Sequence, residues 1–166
     1  MSKPATGLRQ ALGLAGWLTV SFIAGFIGAV ASINAPEFYG ELIRPEWGPP
    51  ASVFGPVWSV LYALMAVAAW LVWQAPAGKA RSVAIVLFTV QLVLNSLWSW
   101  LFFAWQRGDW ALADIVILWA LIVAMLLAFW RCNRWSAALI VPYLMWVSFA
   151  TALNWAVWRL NPELLS

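Results

Sequence analysis

The side chains able to do chemistry in this 166-residue chain are few and mostly uncharged. There is no histidine, a single cysteine, Cys132, and six carboxylates scattered over Glu37, Glu41, Glu46, Asp109, Asp114 and Glu163. Haem ligation and metal catalysis normally use histidine, cysteine or clustered carboxylates. The inventory therefore argues against both, and against histidine-based acid, base or nucleophile chemistry. No catalytic residue, resident cofactor or metal is expected. Asp114 falls in the first turns of a predicted helix, where the helix dipole and interfacial water stabilise a carboxylate; it reads as structural. What remains is neutral: Gln91, Asn95, Ser96 and Ser99 on one segment, and Ser148, Thr151 and Asn154 on another.

Helical spacing sorts these groups onto faces, because residues three or four apart are neighbours on a helix. Asn95 is followed by Trp98 and then Phe102; Trp58 and Tyr62 are four apart; so are Trp146 and Ala150, with Asn154 beyond. At about 1.5 Å rise per residue in antiparallel helices, Trp58, Tyr62, Trp98, Phe102, Ala150 and Asn154 share one half of a bilayer, with Asn95 and Trp146 near its midplane. They describe either a cavity for a flat apolar ligand with one amide handle or rings that simply fill a bundle centre. If a cavity exists, it is expected between the second, third and fifth spans. Asn95 has its own bland alternative, an interhelical hydrogen bond that holds the bundle together.

The elements that must position these groups follow from composition. Hydrophobic residues make up 65% of the chain and charged ones 9%, against roughly 25% charged in soluble proteins, and the mean hydropathy is +0.87. Such a surface faces lipid. Five apolar runs approach the roughly 20 residues that cross a bilayer: Leu8 to Ile33, Val53 to Trp73, Ser82 to Trp105, Trp110 to Trp130 and Trp135 to Trp158. The first exceeds the core of a signal peptide and is read as a retained helix. The fold class expected is an all-α membrane protein, one five-helix bundle forming a single domain over residues 1–166. Of the fifteen tryptophans, Trp73, Trp105, Trp110, Trp130, Trp135 and Trp158 fall at span ends, as an interfacial belt requires. Ala24 with Gly28, and Gly25 with Ala29, put small residues on the first helix, for packing, a dimer contact or room for a ligand.

The first loop, Asn34 to Ser52, carries Pro36, Pro45, Pro49 and Pro50 beside Phe38, Tyr39 and Trp47. Long ordered loops are commonly functional, and this one reads as a lid over the bundle mouth, or else as a connector resting in the interface.

Three motifs in order, Trp47-Gly48-Pro49-Pro50 with Phe54, Trp58 and Tyr62; Gln91-Leu92-Val93-Leu94-Asn95-Ser96-Leu97-Trp98 with Phe102-Phe103; and Pro142-Tyr143-Leu144-Met145-Trp146 with Leu153-Asn154, resemble the TspO/MBR family of tryptophan-rich sensory proteins and translocator proteins. The resemblance covers nearly the whole chain. It implies a membrane receptor, often a homodimer, that binds porphyrins such as protoporphyrin IX as ligand, with a pocket lined by Trp47, Phe54, Trp58, Tyr62, Asn95, Trp98, Trp146 and Ala150. In some bacterial members it also implies light-dependent porphyrin breakdown involving Trp58 and Trp146, and in animal members sterol binding or transport. The sterol pattern wants a tyrosine where this chain has Trp155, which counts against cholesterol. Without histidine to hold iron, a metal-free porphyrin suits the chain better than haem, and Arg44 in the loop is placed to meet a propionate. Partners are then lipid and a hydrophobic small molecule; nothing points to nucleic acid.

Orientation follows from lysine and arginine alone. Lys3, Arg9, Lys79, Arg81, Arg131 and Arg134 share one side, and Arg44, Arg107 and Arg159 the other. Six against three predicts a cytoplasmic amino terminus, with the first loop and the carboxyl terminus outside, in a bacterial cell membrane. A phosphatase fused at the carboxyl terminus is expected to be active, as an exported enzyme is; cytoplasmic behaviour of the fusion reverses the assignment.

Overall fold

The computed structural model describes the backbone of residues 4–166 and side chains from residue 7 onward; Lys3, counted in the orientation, lies outside the described residues. Five long helices dominate: α1 (Pro4–Ala31), α3 (Phe54–Trp73), α4 (Lys79–Ser99), α5 (Gly108–Cys132) and α6 (Arg134–Leu160). A short helix, α2 (Ala35–Glu41), lies in the first loop, and a 3-10 turn, Ala51–Val53, leads into α3. Each long helix holds a stretch apolar enough to cross a membrane, with mean hydropathy from 1.7 to 2.7. No strand occurs among the described residues. A chain this apolar has few other options in lipid, where every backbone polar group needs an internal partner.

The helices form a ring in which chain order and packing order differ. α1 packs on α3 and α4, α3 on α6, α6 on α5, and α5 on α4. Glycines set the closest approaches. A Cβ on Gly13 would lie 2.6 Å from the Trp73 ring and one on Gly25 2.8 Å from the Tyr62 ring, so α1 and α3 meet where α1 has no side chain. Gly28 similarly admits Ser99 of α4, whose Oγ would sit 3.1 Å from a Cβ. Gly13, Gly25 and Gly28 of the first helix thus serve packing inside the bundle.

Two features depart from the sequence expectation. The third span does not end as an α-helix: Trp100–Ala104 winds as a π-helical turn, closed by Trp105 N–H donating to Trp100 O at 2.8 Å, and the chain then passes through Gln106 in the left-handed region at φ 55°. The first loop is partly helical, because Pro36 sits in the first turn of α2, where its missing N–H is no loss. The loop is also pinned. Asn161, just past α6, accepts from Ile43 N–H at 2.9 Å and donates to Ile43 O at 2.9 Å, so one amide pairs with both backbone groups of a loop residue.

At the other end of the same junction, Gly108 N–H donates to Leu165 O at 3.0 Å, and a Cβ there would lie 2.9 Å from Trp158 Cδ1 and 3.0 Å from Leu165 Cβ. These atoms lie close to their own backbone and cannot swing away. Gly108→Ala is therefore expected to destabilise the protein by about 1–3 kcal/mol, read as a lower thermal midpoint in detergent. Gly16→Ala, where a Cβ meets nothing within 4 Å, is expected to be neutral or stabilising by up to about 1 kcal/mol.

Candidate ligand cavity

At the centre of the ring, three helices are joined by a chain of uncharged hydrogen bonds. Tyr62 of α3 donates its phenol to Asn95 Oδ1 of α4 at 2.6 Å. Asn95 Nδ2 donates to the Tyr143 oxygen of α6 at 2.8 Å, and Tyr143 donates in turn to Gln91 Oε1 at 2.8 Å. Gln91 Nε2 reaches the Met65 sulfur at 3.7 Å. Tyr143 and Gln91 are fully buried and Asn95 is 4% exposed. A second set lies toward the first loop. Trp98 Nε1 donates to Asn154 Oδ1 at 2.9 Å and Asn154 Nδ2 to Gly108 O at 3.1 Å, linking α4, α6 and α5.

Beside this centre lies a cavity of about 770 Å³, within the roughly 300–1,000 Å³ range of small-molecule sites. α1 supplies one wall with Phe22, Gly25, Phe26, Gly28 and Ala29; α3 supplies another with Phe54, Trp58 and Tyr62; Asn95, Trp98 and Ser99 of α4 form the back. Tyr39 of α2 and Ala51 line the loop end. No charged side chain is among the lining residues. The rings are set edge-on or tilted: Trp58 to Tyr62 at 5.7 Å, Tyr39 to Phe54 at 5.5 Å, with Trp98 stacked on Phe102 at 5.2 Å. Tyr39 is 4% exposed and donates to Pro49 O at 3.2 Å. Burial raises its phenol above the ordinary value, against the pull of the Arg44 guanidinium, which lies 4.9 Å over the ring. The phenol thus stays protonated and keeps its donor.

Comparison with known proteins agrees with this architecture. Residues 17–159 match the TspO/MBR family. The chain is 40% identical over 156 residues to the tryptophan-rich protein TspO of Chlorobaculum tepidum, covering 93% of this chain and 99% of that one. It is 34% identical over 160 residues to the human translocator protein, 95% and 90% of the two chains, and 37% identical over 148 residues to the tryptophan-rich sensory protein of Cereibacter sphaeroides, 87% and 91%. The chain belongs to the TspO/MBR family. Like a TspO/MBR protein it is a multi-pass integral membrane protein, with five spanning helices.

The residues that the family resemblance singles out do not all meet in one place. Phe54, Trp58, Tyr62, Asn95 and Trp98 line the large cavity. Trp146 and Ala150 instead face a void of about 20 Å³ behind Phe54 and Trp58, and Trp146 packs edge-on to Phe54 at 5.9 Å. Trp47 lines neither; it is 53% exposed and its ring meets Phe149 at 5.8 Å. Arg44 is exposed and lines neither void. The expected place for the cavity, between the second, third and fifth spans, is occupied by the Tyr62–Asn95–Tyr143 chain. The void lies instead against the first span, because α1 carries glycine and alanine where the other helices carry rings. Among the wall residues that sequence reasoning missed are Phe22, Phe26, Gly55 and Ser59; the one usable signal was that Phe22 and Phe26 are four apart, flanking Gly25. Asp114, expected at the wet interface, is 7% exposed, and its Oδ2 has no hydrogen-bond partner among the described residues.

Tyr143→Phe removes one oxygen and leaves both Asn95 Nδ2 and Gln91 Oε1 unpartnered. It is expected to cost about 1–3 kcal/mol, measured by thermal or denaturant unfolding in detergent. Adding Gln91→Leu, which removes one of the orphaned groups, is expected to recover part of that loss.

Proposed function

We propose that this TspO/MBR protein is a membrane receptor or sensor whose ligand is a planar apolar molecule of the porphyrin class, protoporphyrin IX being the leading candidate. The observation that carries the reading is the 770 Å³ cavity walled by Trp58, Tyr62, Trp98 and four phenylalanines, with neutral polar groups only. Ring walls suit a flat conjugated guest, each well-placed aromatic contact adding about 0.5–1.5 kcal/mol beyond area burial. The carboxylates of a porphyrin find no cation inside, so they extend past Tyr39 toward Arg44 at the loop. The ligand class comes from the family resemblance, and the cavity supports it through shape and lining. The first loop acts as a lid, held by Asn161 over the end of the cavity.

A second reading has an observation of its own. Trp58 lines the cavity wall and Trp146 lies behind it across Phe54, so an indole donor stands beside a bound photosensitiser. That is the arrangement light-driven porphyrin breakdown asks for. If the Soret band bleaches at one rate with and without protein, the second reading falls and the receptor stands.

Titration of the purified protein with protoporphyrin IX is expected to give saturable quenching of tryptophan fluorescence and a shifted Soret band. Trp58→Ala is expected to weaken binding about tenfold, the equivalent of about 1.4 kcal/mol. Trp130→Phe, at an exposed ring remote from the cavity lining, is expected to leave it unchanged. Equal affinities for Trp58→Ala and the unaltered protein remove the cavity from the binding site.

A further inference from the structure

The cavity wall is not equally buried on all sides. Asn95 and Tyr62 at its back are 4% and 7% exposed, whereas Phe26 of α1 is 69% exposed and Ala29, Gly55 and Ser59 are exposed as well, though all four line the void. Exposure this high, concentrated on neighbouring lining residues of two helices, marks where the cavity meets the outer surface. Here that surface is the seam between α1 and α3. The two helices touch at Gly25 and Tyr62 and part above that point, where Ala29 of α1 is the small side chain. Phe26 lies five residues before the end of α1 and Ser59 five after the start of α3, which places both about 8 Å inside the span ends at 1.5 Å per residue. Ala29 and Gly55 lie nearer the helix ends, within about 3 Å, so the slot runs from the interface down into the apolar length of the two spans.

The loop side is the more firmly held. Leu42 is 4% exposed, Ile43 is paired through both backbone groups to Asn161, and Tyr39 is tied to Pro49. Only the edge of the loop, at Pro36 and Ser52, shares the exposed strip, as the upper end of the same slot.

We propose that the ligand enters and leaves laterally, from the leaflet nearest the first loop, through the slot between α1 and α3 rimmed by Phe26, Ala29, Gly55 and Ser59, while the loop stays closed. The inference rests on the reading that the cavity holds an apolar ligand. It adds the source of that ligand: a molecule already dissolved in the bilayer. An uncharged rim is what such a route requires, since a lipid-dissolved guest passes it without crossing water.

The test compares blocking the slot with locking the loop, in nanodiscs with protoporphyrin IX supplied from donor vesicles. Ser59→Phe puts a ring into the slot and is expected to slow association at least about fivefold and release with it. A disulfide between I43C and N161C, in a Cys132→Ser background, locks the loop and is expected to change both rates less than about twofold between its oxidised and reduced forms. Slow binding on oxidation with no effect of Ser59→Phe overturns the proposal in favour of entry through the loop. A ligand-free arm separates this outcome from failure of the receptor reading. Phosphatidylcholine brominated high on its acyl chains is expected to quench the Trp58 contribution, taken as the difference from Trp58→Phe, and Ser59→Phe is expected to relieve that quenching. If Trp58 is not quenched, the slot is closed and the proposal fails; if it is quenched but protoporphyrin never binds, the slot stands and the ligand assignment falls.

Discussion

One constraint organises the centre of the molecule: in a medium without water, a buried amide or phenol left without a hydrogen-bond partner is costly. The Tyr62–Asn95–Tyr143–Gln91 chain meets it for α3, α4 and α6 with four neutral side chains. Each such bond is worth only about 0.6–2 kcal/mol in a membrane, too little to drive assembly. The chain acts through register. Sliding any of the three helices by one turn strands an amide in hydrocarbon, which penalises the wrong arrangement more than the bonds reward the right one. Trp98–Asn154–Gly108 repeats the device toward the loop and fixes α5 against α4 and α6.

α1 is held differently, and the cavity follows from that difference. Its own side chains make no bond to another helix among the described residues; neighbours donate to its backbone, Ser96 Oγ of α4 to Ala24 O at 2.9 Å and Trp70 Nε1 of α3 to Gln10 O at 3.1 Å. Otherwise it packs through Gly13, Gly25 and Gly28 against Trp73, Tyr62 and Ser99. A helix that approaches by lacking side chains fills space only at the points of approach; between and beyond them it leaves a gap. The gap opens beyond Gly25, where α3 presents Trp58 and α4 presents Trp98. The packing mode that lets α1 close the ring at one depth leaves it open at the next.

The fold was legible because each long run of apolar residues admits one structure in lipid. The five spans, most of the interfacial tryptophans and the grouping of Trp58, Tyr62, Asn95 and Trp98 around one space followed from composition and a period of three to four; Trp73 and Trp158 instead pack half-buried against Gly13 and Gly108. Trp105, Trp110, Trp130 and Trp135 are exposed at helix ends, as a belt needs. The position of the void was not legible. Spacing tells which residues share a face but not which helix that face meets, and the ring order α1–α3–α6–α5–α4 is invisible in the chain. The role of Tyr143 was not legible either, since a tyrosine beside a proline in an apolar run carries no mark that its phenol sits between two amides. Asn161 was invisible for a similar reason: an asparagine after a helix reads as a cap, and only the tertiary fold brings Ile43 to it.

The polar chain also bears on what the cavity can select. Asn95 faces the void, yet its oxygen already accepts from Tyr62 and its nitrogen already donates to Tyr143. Half of the hydrogen-bonding capacity of the handle expected to orient a ligand is therefore committed to the fold, and its orientation is fixed by it. A ligand that drew Asn95 away would break bonds worth as much as the new one, so recognition that reorients this amide gains little. Discrimination falls to shape and to the rings, which reward planarity and breadth and do so with low chemical specificity. A cavity of this kind admits flat hydrophobic molecules as a class. Exclusion of the wrong members must come from its rim and roof, where Phe26, Tyr39 and Phe54 set the width, more than from any single hydrogen bond at its back.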